Sequence, residues 1–204
     1  MDINSITLEV DSPDLLEAVE KFYCEALRLD ERVRVAISAS PSSGFRGFAP
    51  SLGFGQPADV DALFDRAIDA GAEVLKPVVK GIWGYGGSLR APDGTVWQLS
   101  SENKKNTAPA TGEITSLVLL LGVGDVKASR KCYEQNGATV TKSFGGTYAE
   151  FSTGPITLAL YRRNGLAKQV GTADADGSGS HRLIIHGDVE LTDQDGYVWK
   201  PADR

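Results

Sequence analysis

The sequence has few cysteines and no long apolar run, and each shortage excludes a class of protein. Only two cysteines, Cys24 and Cys132, occur in 204 residues, which is too few for a disulfide framework and suits a reducing compartment. The N-terminus lacks the basic region and apolar stretch of a signal peptide. The most apolar run, Leu117 to Leu121, is far shorter than the ~20 residues that span a bilayer. We therefore expect a cytoplasmic protein without membrane contact.

Positive charge is also scarce. The 21 Lys and Arg residues are outnumbered by 27 Asp and Glu residues, and the net charge is -6. Because nucleic-acid binding requires a basic surface, we expect no nucleic-acid partner. Apolar residues make up 41% and charged residues 24% of the chain, as in ordinary globular proteins.

Two parts of the chain repeat the same order of segments. A strand-like stretch, Ser5 to Val10, precedes a helical pattern that ends at Tyr23, and Ser116 to Leu121 leads in the same way to Tyr133. Further echoes are 43–46 with 178–182, and the hairpin sequence 93–98 with 195–200. In both hairpins an Asp-Gly pair supplies the turn, because Gly adopts positive φ. We predict two βαβββ modules, 1–103 and 113–204, joined by a linker at 104–112.

The two modules are predicted to differ in content. The first carries a second helix, Ala58 to Ala70, whose apolar residues recur at helical spacing. The second is degenerate and lacks this helix, since only a few residues separate His186 from Asp193. It has instead an extra hairpin at 148–161, followed by a polar, glycine-rich loop at 172–180 that we expect to be mobile.

Four motifs occur along the chain in a characteristic order. They are a Trp83-Gly84 loop, the hairpin Ala-Pro-Asp-Gly-x-Val-Trp at 91–97, Asp-Val-x-Ala-Ser-x-x-x-Tyr at 125–133, and the strand Ile-Thr-Leu-Ala-Leu-Tyr at 156–161. Together they resemble the vicinal oxygen chelate superfamily of glyoxalases, bleomycin-resistance proteins and extradiol dioxygenases. The resemblance extends from about Ile3 to Lys200. It implies an α+β fold in which paired βαβββ modules form curved mixed sheets around a cup for a small molecule.

The resemblance also implies where a divalent metal would bind, namely on the first and last strands of the modules. The aligned positions here are Ser5, Gln98, Ser116 and Lys200. Gln98 is a weak neutral ligand, and the ammonium group of Lys200 repels a dication unless its pKa drops sharply. We therefore predict no metal and no other cofactor. A four-residue slip of the alignment would make Glu9 a lone carboxylate candidate with Lys200 as its partner, although an ion-paired or exposed Glu9 is the more ordinary interpretation.

Side-chain alternation along the strands predicts which residues face the cup. On the first strand, Ser5, Thr7 and Glu9 share one face, and the apolar residues between them share the other. The same rule turns Val96, Gln98, Ser116, Val118, Leu120, Val198 and Lys200 inward. It turns Trp97 and Trp199 outward into the core. A mixed lining of this kind suits a small organic ligand.

Two further segments supply ligand-binding candidates. The glycine-rich loop carries Trp83 and Tyr85, which either stack on a planar ligand or, for Trp83, plug the mouth of the barrel. The strand with Phe45, Arg46 and Phe48 is echoed around His181, and Arg46 either clamps an anion or forms a salt bridge. His181 and His186 fall on opposite strand faces and make a poor pair. The full set is Ser5, Thr7, Glu9, Phe45, Arg46, Phe48, Trp83, Tyr85, Gln98, Ser116, Val118, His181 and Lys200.

These features favour metal-independent binding of a small, partly planar organic molecule, as in the drug-binding antibiotic-resistance proteins of the superfamily. No nucleophile elbow, phosphate loop or dinucleotide fingerprint is present in the sequence. One alternative is a glyoxalase-like lyase or isomerase, or a dioxygenase. It would have a shifted metal site or a metal-free site with Glu9 or Lys200 as catalytic acid or base. Another alternative is a degenerate module that serves homodimer or other protein contacts.

Overall fold

The computed structural model describes residues 1–82, 84–172 and 177–202. The strands are β1 (Ile3–Val10), β2 (Val33–Ile37), β3 (Ser42–Ser43), β4 (Phe48–Phe54), β5 (Glu73–Gly81), β6 (Gly84–Arg90), β7 (Val96–Ser101), β8 (Ile114–Val123), β9 (Thr139–Phe144), β10 (Tyr148–Ser152), β11 (Thr157–Arg162), β12 (Ser178–Gly179), β13 (Leu183–Gly187), β14 (Leu191–Thr192) and β15 (Val198–Pro201). The helices are α1 (Pro13–Lys21), α2 (Pro57–Asp69), α3 (Val126–Gln135) and α4 (Arg163–Val170), and a π-helical turn at Phe22–Ala26 extends α1. Among the described residues, no helix is long and apolar enough to cross a membrane.

Local sequence signals explain where the helices begin. The Ser12 hydroxyl accepts a hydrogen bond from the Leu15 amide at the start of α1, and the Asp125 carboxylate caps α3. A proline occupies the first position of α1 and of α2, where its missing N–H costs nothing. The helix expected at Ala58 to Ala70 is confirmed as α2.

The larger sheet has eight strands in the order β5-β6-β7-β4-β8-β11-β10-β9. Each half is a βαβββ unit, 48–101 with α2 and 114–162 with α3. In each unit the last strand lies parallel to the first, and the two first strands, β4 and β8, pair antiparallel at the centre. The expected α+β architecture of paired βαβββ units with curved mixed sheets is confirmed.

The smaller sheet has five strands in the order β14-β15-β13-β1-β2. It combines two reduced units. One is β1, α1 and β2, and the other is β13, β14 and β15, which has no helix between its first two strands. A two-stranded ribbon of β3 and β12 completes the strand pairing.

The strand pairing does not follow the expected arrangement of one module in 1–103 and one in 113–204. Each half of the chain instead holds one reduced and one complete unit and contributes to both sheets. The difference arises because β1 and β4 each begin a separate unit, whereas the repeat in the sequence predicts that both belong to a single module. The segment 104–112 contains no regular strand or helix, as expected of a linker. It is nevertheless held in place, since the side chains of Gln56 and Asp59 bind its backbone amides.

The tyrosines of the repeat anchor helices to hairpins in equivalent ways. The Tyr23 hydroxyl donates to the Asp93 carboxylate over 2.9 Å, and the Tyr133 hydroxyl donates to the Asp193 carboxylate. Trp97 and Trp199 pack against these tyrosines with ring centroids 5.5 and 5.4 Å apart. Both tryptophans are buried in one core shared by the two sheets and helices α1, α2 and α3, so neither is a stacking platform.

Replacing Asp93 by Ala is expected to lower the free energy of unfolding by about 3–5 kcal/mol, because it leaves the buried guanidinium of Arg46 without its carboxylate partner. The Asp93 carboxylate also accepts hydrogen bonds from Tyr23 and from the amide and hydroxyl of Thr95. Urea unfolding followed by circular dichroism measures the change. Glu73→Gln, which breaks an exposed ion pair with Arg90, is the control and should cost under about 1 kcal/mol. Equal losses in the two variants would contradict this role.

Candidate functional site

The concave face of the eight-stranded sheet is the surface that the fold offers to a ligand. In β8, Leu117, Leu119 and Leu121 are buried in the helix-side core, so Ser116, Val118 and Leu120 point to the concave face. The strand register extends this face to neighbouring strands. Its central side chains are Ala49, Ser51, Val96, Gln98, Ser116, Val118, Leu120, Tyr148, Glu150, Thr157, Ala159 and Tyr161.

Helix α4 covers part of this face. It follows β11 directly and buries Leu166, Ala167 and Val170. These side chains form a second hydrophobic cluster with Phe45, Ala49, Val96, Leu120 and Ala159 of the sheet side. The helix ends at Gly171, whose φ of 78° is the left-handed conformation that glycine adopts readily. A segment of the chain itself therefore fills one side of the cup.

Polar contacts hold both ends of α4 against the sheet. The Lys76 ammonium donates to the carbonyl oxygens of Lys168 and Gln169 over 2.8 and 2.7 Å. The Ser88 hydroxyl donates to the carbonyl of Val170 over 2.8 Å. At the other end, the Arg163 guanidinium donates to the Phe45 carbonyl over 2.8 Å. The bonds from Lys76 and Ser88 satisfy carbonyls that a helix C-terminus otherwise leaves unpaired.

The part of the face beside α4 is aromatic and polar. Phe144, Tyr148 and Tyr161 stand side by side on β9, β10 and β11, with ring centroids 5.7 and 4.9 Å apart. Phe144 is 63% exposed, and the two tyrosines are partly buried. The Tyr148 hydroxyl donates to Glu150 over 2.5 Å. Gln169 of α4 donates to the Gln98 side chain over 3.0 Å and joins the helix to the polar floor.

Burial raises the pKa of both tyrosines on this face. For Tyr148, the hydrogen bond to Glu150 and the charge of that carboxylate add to the effect of burial. For Tyr161, burial is the largest cause, and a hydrogen bond with Gln169 opposes it. Both hydroxyls therefore keep their protons at neutral pH. The Tyr148 proton is already donated to Glu150, so Tyr161 is the one of the two that can donate a hydrogen bond to a ligand.

No protein-family model and no curated protein matches the sequence. Solved structures do match. Glyoxalase I from Zea mays superposes with a TM-score of 0.58 and 16% sequence identity, over 91% of this chain and 74% of that chain. A candidate dioxygenase from Bacillus subtilis superposes with a TM-score of 0.55 and 12% identity, over 96% of this chain and 72% of that chain.

The chain has the vicinal oxygen chelate fold. The resemblance seen in the sequence motifs is thereby confirmed at the level of the fold. At these identities the likeness concerns the backbone arrangement, and the side chains of the cup have to be considered by themselves.

The four positions aligned with metal ligands of vicinal oxygen chelate proteins do not meet in one place. Gln98 and Ser116 lie on the eight-stranded sheet, whereas Ser5 and Lys200 lie on the five-stranded sheet. The central strands of the larger sheet, β4, β7, β8 and β11, contain no His, Cys, Asp or Glu at all. Within the described residues, no three such side chains gather anywhere. The residues of the cup therefore do not fit a divalent metal.

The five-stranded sheet carries the remaining polar candidates on the face that points away from the shared core. Ser5 lies opposite His186, and Lys200 lies opposite His186 on its other side. The Thr7 hydroxyl and His186 Nε2 are hydrogen-bonded over 2.8 Å. Glu9 is four residues beyond Ser5, about 13 Å along the strand and two strands, or about 10 Å, across from Lys200. The strand register therefore does not support the alternative in which Glu9 pairs with Lys200.

Three residues predicted to contact a ligand in the cup are instead largely buried within the protein. Phe48 is 1% exposed and belongs to the core shared by the sheets. Phe45 is buried under α4. Arg46 forms a buried ion pair with Asp93, and burial lowers its pKa.

His181 and Tyr85, both predicted to contact a ligand, also have other roles in the structure. Both ring nitrogens of His181 bind carbonyl oxygens, those of Arg46 and Asp195, and the ring stacks on Tyr197 at 4.1 Å. The residue is therefore structural. Tyr85 lies on the helix side of β6, where its hydroxyl donates to Asp61 over 2.6 Å. Trp83 lies outside the described residues, as do residues 173–176 of the loop predicted at 172–180.

The hydrogen bond to Asp61 raises the pKa of Tyr85 to about 12, with smaller contributions from burial and from the Asp61 charge. Its stabilising effect is complete below the ordinary pKa near 10 and is lost as the pH rises through about 12. Asp61→Asn should therefore shift one tyrosine titration, followed by absorbance at 295 nm, towards 10. Asp65→Asn serves as the control, since Asp65 acts only through its charge. An unchanged titration curve for Asp61→Asn would contradict the assignment.

Proposed function

We propose that the protein reversibly binds a small organic molecule on the concave face of its eight-stranded sheet, without a metal ion held by the protein. The observation that carries the proposal is the composition of this face. Aromatic rings and hydrogen-bonding groups lie beside α4, while the strands that would supply metal ligands contain none. Sites of this kind, largely apolar with a few directed polar groups, are typical of small-molecule binding.

The lining favours a ligand with a planar apolar part and polar substituents. The rings of Phe144, Tyr148 and Tyr161 offer a continuous aromatic surface, on which a planar group can stack or meet a ring edge. Glu150 accepts hydrogen bonds and the Tyr161 hydroxyl can donate one, whereas the Tyr148 hydroxyl, which donates to Glu150, can still accept one. This chemistry agrees with the drug-binding hypothesis drawn from the sequence.

A metal-dependent enzyme has less support because the metal-binding positions are divided between two sheets. A metal-free enzyme that uses Glu9 and Lys200 together has less support as well, because the strand register separates them. A homodimer built on the open face of the five-stranded sheet stays a prediction, and size-exclusion chromatography with light scattering is its direct test.

Calorimetric titration of EDTA-treated protein with planar aromatic compounds that carry either a protonated alkylamine group or a phenol group tests the proposal. At least one such compound should bind saturably. Tyr161→Ala should weaken it by about fivefold or more, because stacking on an aromatic ring contributes about 1 kcal/mol or more. Glu150→Gln should weaken binding of the amines more than that of the phenols, since only the amines carry a positive charge.

Tyr85→Phe is the matched control, since this tyrosine lies on the opposite side of the sheet, and its binding should equal that of the unaltered protein. Metal analysis of the protein as purified accompanies the titrations. One tightly held metal per chain, or binding that appears only after a divalent metal is added, would overturn the proposal.

A further inference from the structure

A cluster of cationic side chains lies at the seam between the two sheets, remote from the concave face. A cavity of about 130 Å³ occurs there, between the end of α1, strand β2 and the linker that precedes β8. Its lining residues are Arg28, Leu29, Asp30, Arg32, Val33, Leu52, Gly112, Ile114 and Leu117. The volume suits an ion or molecule of a few heavy atoms.

Arg66 of α2 adds a third guanidinium near this region, beside those of Arg28 and Arg32. Its Nη1 atom is buried and has no hydrogen-bond partner among the described residues. The charged group that acts on it is another cation, Arg28. Leu63, one helical turn before Arg66, approaches Gly112 at the cavity wall, where Arg28 Nη1 also lies. Arg28 and Arg66 are thus close enough for their charges to repel each other, and a buried N–H group of Arg66 has no acceptor among the described residues.

The backbone of Arg28 is unusual for its residue type. Its φ is 53°, in the left-handed region, at the residue that follows the π-helical turn and Leu27. Glycine is the common residue at such a helix end, and a side chain costs about 1 kcal/mol or more there. Apart from a long 3.4 Å contact of Nη1 with the Thr111 carbonyl, no hydrogen bond of this guanidinium is seen among the described residues. Backbone strain of this kind is often found where a side chain has to be held at a binding site.

The nearby carboxylates are already engaged. Asp30, which also lines the cavity, accepts three hydrogen bonds from the Arg32 guanidinium, at 2.8 to 3.0 Å. Asp59 accepts hydrogen bonds from the amides of Thr111 and Gly112 over 2.6 and 2.8 Å. Neither acid is therefore positioned to neutralise Arg28 and Arg66.

We propose that Arg28 and Arg66 together bind a small oxyanion, a phosphate or a carboxylate, at the mouth of this cavity. Guanidinium groups bind such oxygens with two directed hydrogen bonds each, and an anion between them would satisfy the buried Nη1 and offset the like charges. The site does not depend on the ligand proposed for the concave face.

The test measures the thermal unfolding midpoint against sodium phosphate or sodium acetate, with sodium chloride added to keep the ionic strength constant. The midpoint of the unaltered protein should rise saturably with phosphate, acetate or both, because an anion that binds only the folded state stabilises it. A response to phosphate alone identifies a phosphate site, and a response to acetate identifies a carboxylate site.

Two variants and one control separate binding from a general salt effect. Arg28→Gly introduces a residue that adopts positive φ readily, so this variant should fold at least as stably as the unaltered protein when no anion is present. Arg66→Gln removes the second cation. Each should shift the concentration for half-maximal response at least tenfold upward, whereas Arg90→Gln, at an exposed ion pair, should leave it unchanged. No saturable response in the unaltered protein, or an equal response in all variants, would overturn the proposal.

Discussion

The antiparallel pairing of β4 with β8 is the constraint on which the arrangement of the site depends. It joins two βαβββ units at their first strands and fixes the register, with Ser51 opposite Val118 and Ala49 opposite Leu120. Because strand side chains alternate, this register sends Leu117, Leu119 and Leu121 into the helix-side core and leaves Ser116, Val118 and Leu120 on the other face. A slip of one residue would exchange the two sets and expose Leu117, Leu119 and Leu121 to water. The composition of β8 therefore determines the position of the core and of the cup.

The parts of the fold that were predictable are those governed by local rules. The helix at 58–70, the hairpin at 148–161 and the inward direction of Gln98, Ser116 and Val118 follow from periodicity and turn residues. The resemblance then supplied the architecture. The division of strands between two sheets was not predictable in this way, because it depends on pairings such as β1 with β13, more than 170 residues apart in the chain. Alternation predicts which face of its own strand Ser5 or Ser116 occupies. It cannot show that the two strands belong to different sheets.

Two groups of cup residues are not evident from the sequence: those of helix α4, and those of the hairpin formed by β10 and β11. Helix α4 begins directly after β11, and its apolar pattern is short and weak, so it is easily read as part of a loop. Its stability comes from the sheet beneath it and from Lys76, Ser88 and Arg163. Tyr148, Glu150 and Tyr161 were within reach of the same alternation rule that selected Gln98. The sequence repeat does not select them, because it marks their hairpin as an addition to the module, whereas the hairpin supplies two strands of the eight-stranded sheet.

The presence of α4 also limits which ligands the cup can hold. Displacing it would return the side chains of Leu166, Ala167 and Val170 to water, and burial of a side chain of the size of Leu or Val is worth about 1.5–3 kcal/mol. A ligand that had to displace the helix would lose several kcal/mol of binding free energy, which corresponds to a factor of 10³ or more in affinity. Ligands that fit between α4 and the aromatic row of β9, β10 and β11 avoid this loss. The helix therefore acts as a wall that selects small molecules, and Gln169, bonded to Gln98, places a polar group of that wall at the floor of the cup.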